Sequence, residues 1–304
     1  MDESNKDRIN RVVDYIQANL DKELSVKEIS GVACFSEFHF NRIFKNIIGE
    51  SVYQFIRRIR LERSAGLLLT NPDKSVTEIA LMCGFGNSSS FAKSFKNHFK
   101  MNASKWRGKS NSFFDRNSTP LQIDRGKISF LKGSPVWTFD KESSIRQVFI
   151  EDFEPLKIAY VRNIGPYQGD ESFFSKLYSK LFRWATPRGY VNEKTFTLNI
   201  YHDNPEITDN QNLRVMVAIP VGNDVKPEGQ IGITKINGGR YGVCRFLLKE
   251  DEFKEAWNWM SNVWLINSGY EWDNRESFER SIGEENIEDI RYFKVDICIP
   301  VKVK

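Results

Sequence analysis

Apolar positions recur at helical spacing through the first third of the chain and alternate through its second half. Phe91, Phe95 and Phe99 share one face of a 3.6-residue period, while Ser88, Ser89, Ala92, Lys93 and Lys96 occupy the other. This predicts a helix with a phenylalanine core face and a small, polar, basic outer face. The pattern has a partner upstream. Residues 25–35 read SVKEISGVACF and residues 75–85 read SVTEIALMCGF; after one extra residue in the second copy, Phe40, Arg42, Phe44, Lys45 and Asn46 fall over Phe91, Lys93, Phe95, Lys96 and Asn97. The first third of the chain is therefore an internal repeat.

Each copy predicts a helix, a short turn and a second helix. Ser25 with Glu28 and Ser75 with Glu78 have capping-box spacing, and Ser36 and Asn87 are placed to cap the second helices. A helix pair joined by so tight a turn is the helix-turn-helix unit, whose second helix enters the DNA major groove; two ordinary helical hairpins fit the periodicity equally. Charge favours the DNA reading. Residues 1–110 carry 18 Lys and Arg against 12 Asp and Glu, whereas residues 145–304 carry 21 against 24. The basic excess is concentrated in the half that holds the repeat, as phosphate contact requires. Short hydroxyl side chains at the start of the second helix let the backbone approach a groove.

Beyond residue 145 the period shortens. IRQVFIEDF, PLKIAYVRNI, TFTLNIYHD, LRVMVAIPV, GQIGITKI, RYGVCRFLL and YFKVDICIPVKV read as strands bounded by turn residues. Two helices are predicted among them, FFSKLYSKLFRWATPRG and EFKEAWNWMSNVWLINSG, the second with Phe253, Trp257, Met260 and Trp264 on one face. The order predicts a duplicated α+β unit with helices on one face of an antiparallel sheet. Residues 111–144, rich in Ser, Gly, Asn and charge, read as a linker or strap between domains 1–110 and 145–304.

Composition adds exclusions. No apolar run approaches the roughly 20 residues that span a bilayer, and the charged start MDESNKDRIN is no signal peptide, so a cytoplasmic chain is expected. Cys34, Cys83, Cys244 and Cys298 lack metal spacing and read as buried thiols. No cofactor or metal is expected.

On these residues, 7–107 resemble the DNA-binding domain of AraC-type transcription regulators. The resemblance rests on Ile79, Ala80, Gly84 and Phe85, on the pairs Phe44-Lys45 and Phe95-Lys96, and on Arg60, Ala65 and Leu68 in the connecting helix. It implies two readers on a linker helix, about Val52 to Leu69, whose length of about 27 Å suits groove faces one DNA turn apart. It also implies DNA contacts from Glu37, Phe38, Asn41, Arg42 and Lys45 in the first reader and Ser88, Ser89, Ala92, Lys93 and Lys96 in the second. Arg42 is suited to guanine, Asn41 to adenine and Phe38 to a thymine methyl. Cys34 departs from the family by standing where its turn usually has glycine.

Residues 145–304 resemble the GyrI-like effector-binding domain. The carrying segments are RNIGPY (162–167), YHDNP (201–205), Gly238-Gly239-Arg240-Tyr241, Trp264 through Ser268-Gly269-Tyr270-Glu271, Phe278-Glu279 and Ile299-Pro300-Val301-Lys302. The resemblance implies a pocket for lipophilic or cationic effectors, with Glu279 as its carboxylate and Tyr167, Tyr201, Trp184 and Trp264 as wall candidates. On the residues alone, Glu279 could be a surface ion-pair partner of Arg275 or Arg280, and Trp257 and Trp264 at i and i+7 are more often core than cage. The combined order resembles that of Rob-like regulators and implies multidrug sensing. The partners implied are double-stranded promoter DNA, a small-molecule effector and RNA polymerase, with no membrane, for a monomer or homodimer. The leading reading is a non-enzymatic regulator; a hydrolase of electrophilic small molecules and a protein-interaction module stay open for the C-terminal domain.

Overall fold

The computed structural model describes residues 3–108, 127–131, 134–138, 145–167, 171–273 and 275–304. It opens with seven helices: α1 Glu3–Ala18, α2 Val26–Val32, α3 Glu37–Ile48, α4 Val52–Thr70, α5 Val76–Met82, α6 Ser88–Phe99 and α7 Ala103–Gly108. Helix α1 lies outside the repeat, yet Ile9, Val12, Val13 and Ile16 recur at three- and four-residue intervals and are buried with Phe40, Phe44 and Phe55. This is the core of the first reader. Phe91, Phe95 and Trp106 build the second with Leu61, Leu68 and Ile79, and α4 runs through both. The caps follow the sequence closely. Ser36 accepts from His39 N at 3.4 Å and Asn87 from Ser90 N at 2.8 Å, while Ser75 and Glu78 close a full capping box. In the first copy Ser25 accepts from Glu28 N, but the Glu28 carboxylate takes the Tyr15 hydroxyl instead.

The two turns are equivalent. Cys34 adopts φ 53° and Gly84 φ 80°, and Phe35 and Phe85 then return their N–H groups to Ser30 and Ala80 at 3.0 and 3.1 Å. Cys34 thus takes the left-handed conformation that glycine reaches without strain. It is exposed, which corrects the expectation of four buried thiols; the other three cysteines are buried. Gly84 is needed for a second reason: a Cβ there would stand 2.4 Å from the Leu20 carbonyl. Arg60 Nε donates to the same carbonyl at 2.8 Å, so the two readers touch directly.

The second half is one curled antiparallel sheet with its helices on one face. Its strands are β1 Lys127–Leu131, β2 Ser134–Thr138, β3 Ile145–Phe153, β4 Leu156–Ile164, β5 Leu198–Tyr201, β6 Arg214–Pro220, β7 Gly232–Ile236, β8 Gly239–Leu248, β9 Tyr270–Trp272, β10 Ser277–Ile287 and β11 Ile290–Val303, in spatial order β1-β2-β3-β8-β11-β10-β5-β6-β4-β7, with β9 paired to β11. β1 and β2 lie inside the expected linker, so the sheet begins upstream of residue 145. Strands β9 and β10 fall in segments the alternation did not mark as strand. β7 and β8 stand far apart in this order, yet only two residues separate them. The sheet must curl to bring them together, and it wraps a core of Tyr160, Leu198, Met216, Tyr241, Val243 and Phe278.

Its outer face carries α8 (Glu171–Ala185) and a composite helix. This consists of α9 (Phe253–Trp259), a π turn (Met260–Trp264) and α10 (Leu265–Asn267). Directly opposed residues form a row across the sheet: Val148, Cys244, Ile297, Glu279, Asn199, Val217 and Val161. Opposed residues share a face. The first three pack beneath the composite helix with Trp259 and Met260, and the last two beneath α8 with Leu177 and Leu181. Glu279 and Asn199 therefore occupy the gap between the two helical layers.

Candidate functional sites

The helical half presents two polar faces. Glu37, Phe38, Asn41, Arg42 and Lys45 on α3 are all exposed, and so are Ser88, Ser89, Ala92, Lys93 and Lys96 on α6. Phe38 is 83% exposed. Their positions follow from the helical period, since Phe40 and Phe44, and Phe91 and Phe95, turn inward and leave these residues outside. Asn41 Nδ2 donates to the Glu37 carbonyl at 3.0 Å, and Arg42 lies 3.3 Å from His39 Nδ1. The Arg42 and Asn41 side chains thus rest against their own helix.

The second site is built around Glu279, which is 2% exposed. Its Oε1 accepts from Trp257 Nε1 at 2.6 Å, and its Oε2 from Asn199 Nδ2 at 2.9 Å and Tyr201 Oη at 3.1 Å. Burial pushes the carboxyl up from its ordinary range, and these three donors pull against it. All three are neutral, and among the described residues the carboxylate has no ion-pair partner. The tyrosine ring packs 5.6 Å from Trp257 and 5.8 Å from Tyr167, and Tyr167 lies 6.3 Å from both Phe173 and Phe174. Tyr178 Oη donates to Asn199 Oδ1 at 2.7 Å, which orients the amide so that its NH2 faces Glu279. Burial raises the phenols of Tyr201, Tyr167 and Tyr178, so each stays protonated as a donor.

The structure brings Glu279, Tyr167 and Tyr201 together and places the two expected tryptophans elsewhere. Trp184 donates to Glu228 at 2.8 Å and its ring lies 5.2 Å from that of Tyr190. Trp264 lies in the core against the sheet, where a Cβ at Gly242 would meet its ring at 1.9 Å. Trp257 takes the wall position instead. The two arginines weighed as partners of Glu279 are otherwise engaged: Arg275 with Asp273 at 2.9 Å and Arg280 with Asp296 and Glu151 at 2.8 and 3.1 Å. Asn199 and Trp257 are the site residues that sequence reading missed. Asn199 was discoverable only through the register with Glu279. Among the described residues, no group of three His, Cys, Asp or Glu side chains is placed to hold a metal, and no helix is long and apolar enough to cross a membrane.

The architecture is a paired helix-turn-helix domain followed by a curled α+β domain with a buried carboxylate on its helical face. Residues 146–302, more than half of the chain, match the GyrI-like small molecule binding domain, and the chain belongs to that family. Residues 15–109 match a helix-turn-helix domain of the AraC type. An HTH-type transcriptional regulator of Staphylococcus aureus (strain COL) is 36% identical over 104 residues, which are 34% of this chain and 14% of the relative. The probable transcriptional regulator LumQ of Photobacterium leiognathi is 33% identical over 107 residues, 34% of this chain and 43% of LumQ. The chain thus spans less than half of the length of either relative. Among solved structures, an AraC-type regulator from Chromobacterium violaceum is similar over 34% of this chain and 91% of its own, at 27% identity and TM-score 0.32. The EcmrR–DNA complex is similar over 90% of this chain and 85% of its own, at 14% identity and TM-score 0.46.

Proposed function

We propose that the chain is a DNA-binding transcription regulator whose C-terminal domain binds a small lipophilic cation at Glu279. The observation that carries the ligand reading is the buried Glu279 carboxylate, satisfied by three neutral donors and set among aromatic rings. A buried charge without a counter-charge is costly. A flat organic cation supplies that charge while its body packs on Tyr167, Tyr201 and Trp257, whose ring faces attract cations. Such a ligand favours the ionised carboxylate, so its affinity falls as the solution is acidified. DNA binding is supported by the two exposed basic faces of α3 and α6 on a matched helix-turn-helix domain.

The path from the ligand site to the DNA readers is short. Tyr201 touches Glu279, and two residues later Asp203 holds Arg214 through Nη2 at 2.6 Å. The Arg214 guanidinium lies 5.6 Å from the Phe55 ring of α4. A ligand that favours one arrangement of Tyr201 therefore acts close to the helix that joins the readers.

The test is tryptophan quenching of the full chain by tetraphenylphosphonium and by a neutral tetraphenyl analogue, repeated with Glu279→Gln and followed by mass analysis of the ligand. Saturable binding that prefers the cation and weakens at least tenfold in the variant is expected, with the ligand recovered intact. Equal binding of the neutral analogue would remove the role of the carboxylate, and a changed ligand mass would favour a hydrolase.

A further inference from the structure

The DNA-binding half is seated on the other domain by contacts to both readers, and most of these contacts are partly buried. At the first reader, the Arg162 side chain of β4, 2% exposed, donates Nη2 to Asp14 of α1. Arg162 Nη1 lies 3.2 Å from the Asn10 carbonyl, and Tyr160 Oη donates to the other Asp14 oxygen at 2.6 Å. The guanidinium stands over the Tyr160 ring at 4.9 Å. Tyr160 is itself wedged against β7, since a Cβ at Gly232 would lie 2.2 Å from its ring. At the second reader, Ile207 and Trp272 pack against the core that contains Phe91 and Trp106. Ile207 Cδ1 also approaches the Cβ position of Gly66 on α4 at 3.8 Å. Lys74, before α5, lies 4.0 Å from Glu271. Between the two ends, Arg214 covers Phe55.

None of these contacts touches the outer faces of α3 and α6, whose polar residues stay exposed. Docking therefore does not mask the DNA-reading surface. What it fixes is the placement of one reader relative to the other. Two readers on one body bind a double half-site tightly only while their separation matches the DNA, because the second contact is then made at high effective concentration. A swing of either reader dilutes that advantage.

We propose that the face of the GyrI-like domain around Arg162, Ile207 and Trp272 is a brace that holds the two readers in register for DNA. Arg162 and Asp14 act as positioning residues, and neither touches DNA. The proposal stands whether or not the Glu279 site takes a cation.

The test uses the full chain and a duplex that wild-type protein selects from a random pool, together with the same duplex with one half-site scrambled. Asp14→Asn and Arg162→Gln are each expected to weaken binding to the intact duplex about tenfold, within the roughly 5–150-fold range of typical coupling. Binding to the scrambled duplex should change less than twofold, and the double variant should bind no more weakly than the weaker single variant. Equal losses on both duplexes would mean that the variants merely damage the first reader. That result, no loss at all, or losses that add in the double variant would each overturn the brace. If either variant fails to fold, Tyr160→Phe, which removes only the hydroxyl that reaches Asp14, replaces it. A two- to threefold loss confined to the intact duplex then supports the brace, and an unchanged or uniform response overturns it.

Discussion

Glu62, on the inner side of the linker helix, is a buried carboxyl whose ionisation the fold opposes. Its Oε2 accepts from Arg58 Nη1 at 3.0 Å. Burial nevertheless pushes the carboxyl up to about 7, with Asp203 adding to the rise and Arg58 and Arg214 opposing it. The folded state therefore holds a proton on Glu62 that the unfolded chain releases near the ordinary carboxylate range. Stability from this group is complete below that range and is lost as the pH climbs towards 7. His202 works the other way: burial first, then Arg214 and Arg162, hold its imidazole well below its usual range, so its contribution is lost on acidification. Comparing thermal midpoints of wild type and Glu62→Gln isolates the first effect. Between about pH 4.5 and 7 the wild type should lose ground relative to the variant, and parallel curves would mean that Glu62 does not titrate there.

At the scale of elements, the two recognition helices share a framework and differ in what they offer DNA. α3 presents a guanidinium and an amide, groups suited to paired bonds with base edges, whereas α6 presents short hydroxyls and lysines. Arg42→Ala is expected to cost about 1–3 kcal/mol on the preferred sequence and to relax selectivity at one base pair. Lys93→Ala should weaken all sequences alike and lower the salt slope by about 1. Binding measured over single-base variants of a selected duplex, at several salt concentrations, checks both. Equal loss on every sequence from Arg42→Ala would remove its base-reading role. The repeat that locates these helices was legible because caps and the 3.6 period are local properties. α1 was missed because it has no second copy, and β10 because Glu279 and Arg280 in its buried half break the apolar alternation. Their satisfaction comes from strands distant in sequence: Asn199 on β5 for the first, Glu151 on β3 and Asp296 on β11 for the second. The placement of Trp257 and Trp264 escaped the sequence reading for a related reason. Trp257 and Trp264 were read as sharing a helical face, but the π turn Met260–Trp264 adds a residue per turn and alters their angular relation. One reaches the carboxylate and the other the sheet core. The Glu279 carboxylate itself was legible only through resemblance, since nothing local distinguishes it from its acidic neighbours.

At the scale of the whole molecule, the two halves differ in how far apart in sequence their contacts lie. Each reader closes its core within a short span of chain, while the sheet joins strands at opposite ends of the domain. β11 is the clearest case: it is the final strand in sequence, yet it lies between β8 and β10, so every opposed pair on either side of it waits for residues 290–303. A chain ending at residue 289 should therefore keep a protease-resistant helical half and lose the resistant sheet domain altogether, as limited proteolysis with mass analysis would show. Survival of a resistant fragment from residues 145–289 would mean that the sheet does not depend on its central strand.

That placement also orders events on the ribosome. Both readers are fully translated by residue 108, whereas the sheet that seats them cannot close until β11 has emerged. Translation therefore passes through an interval in which the readers are complete and their brace is still being made.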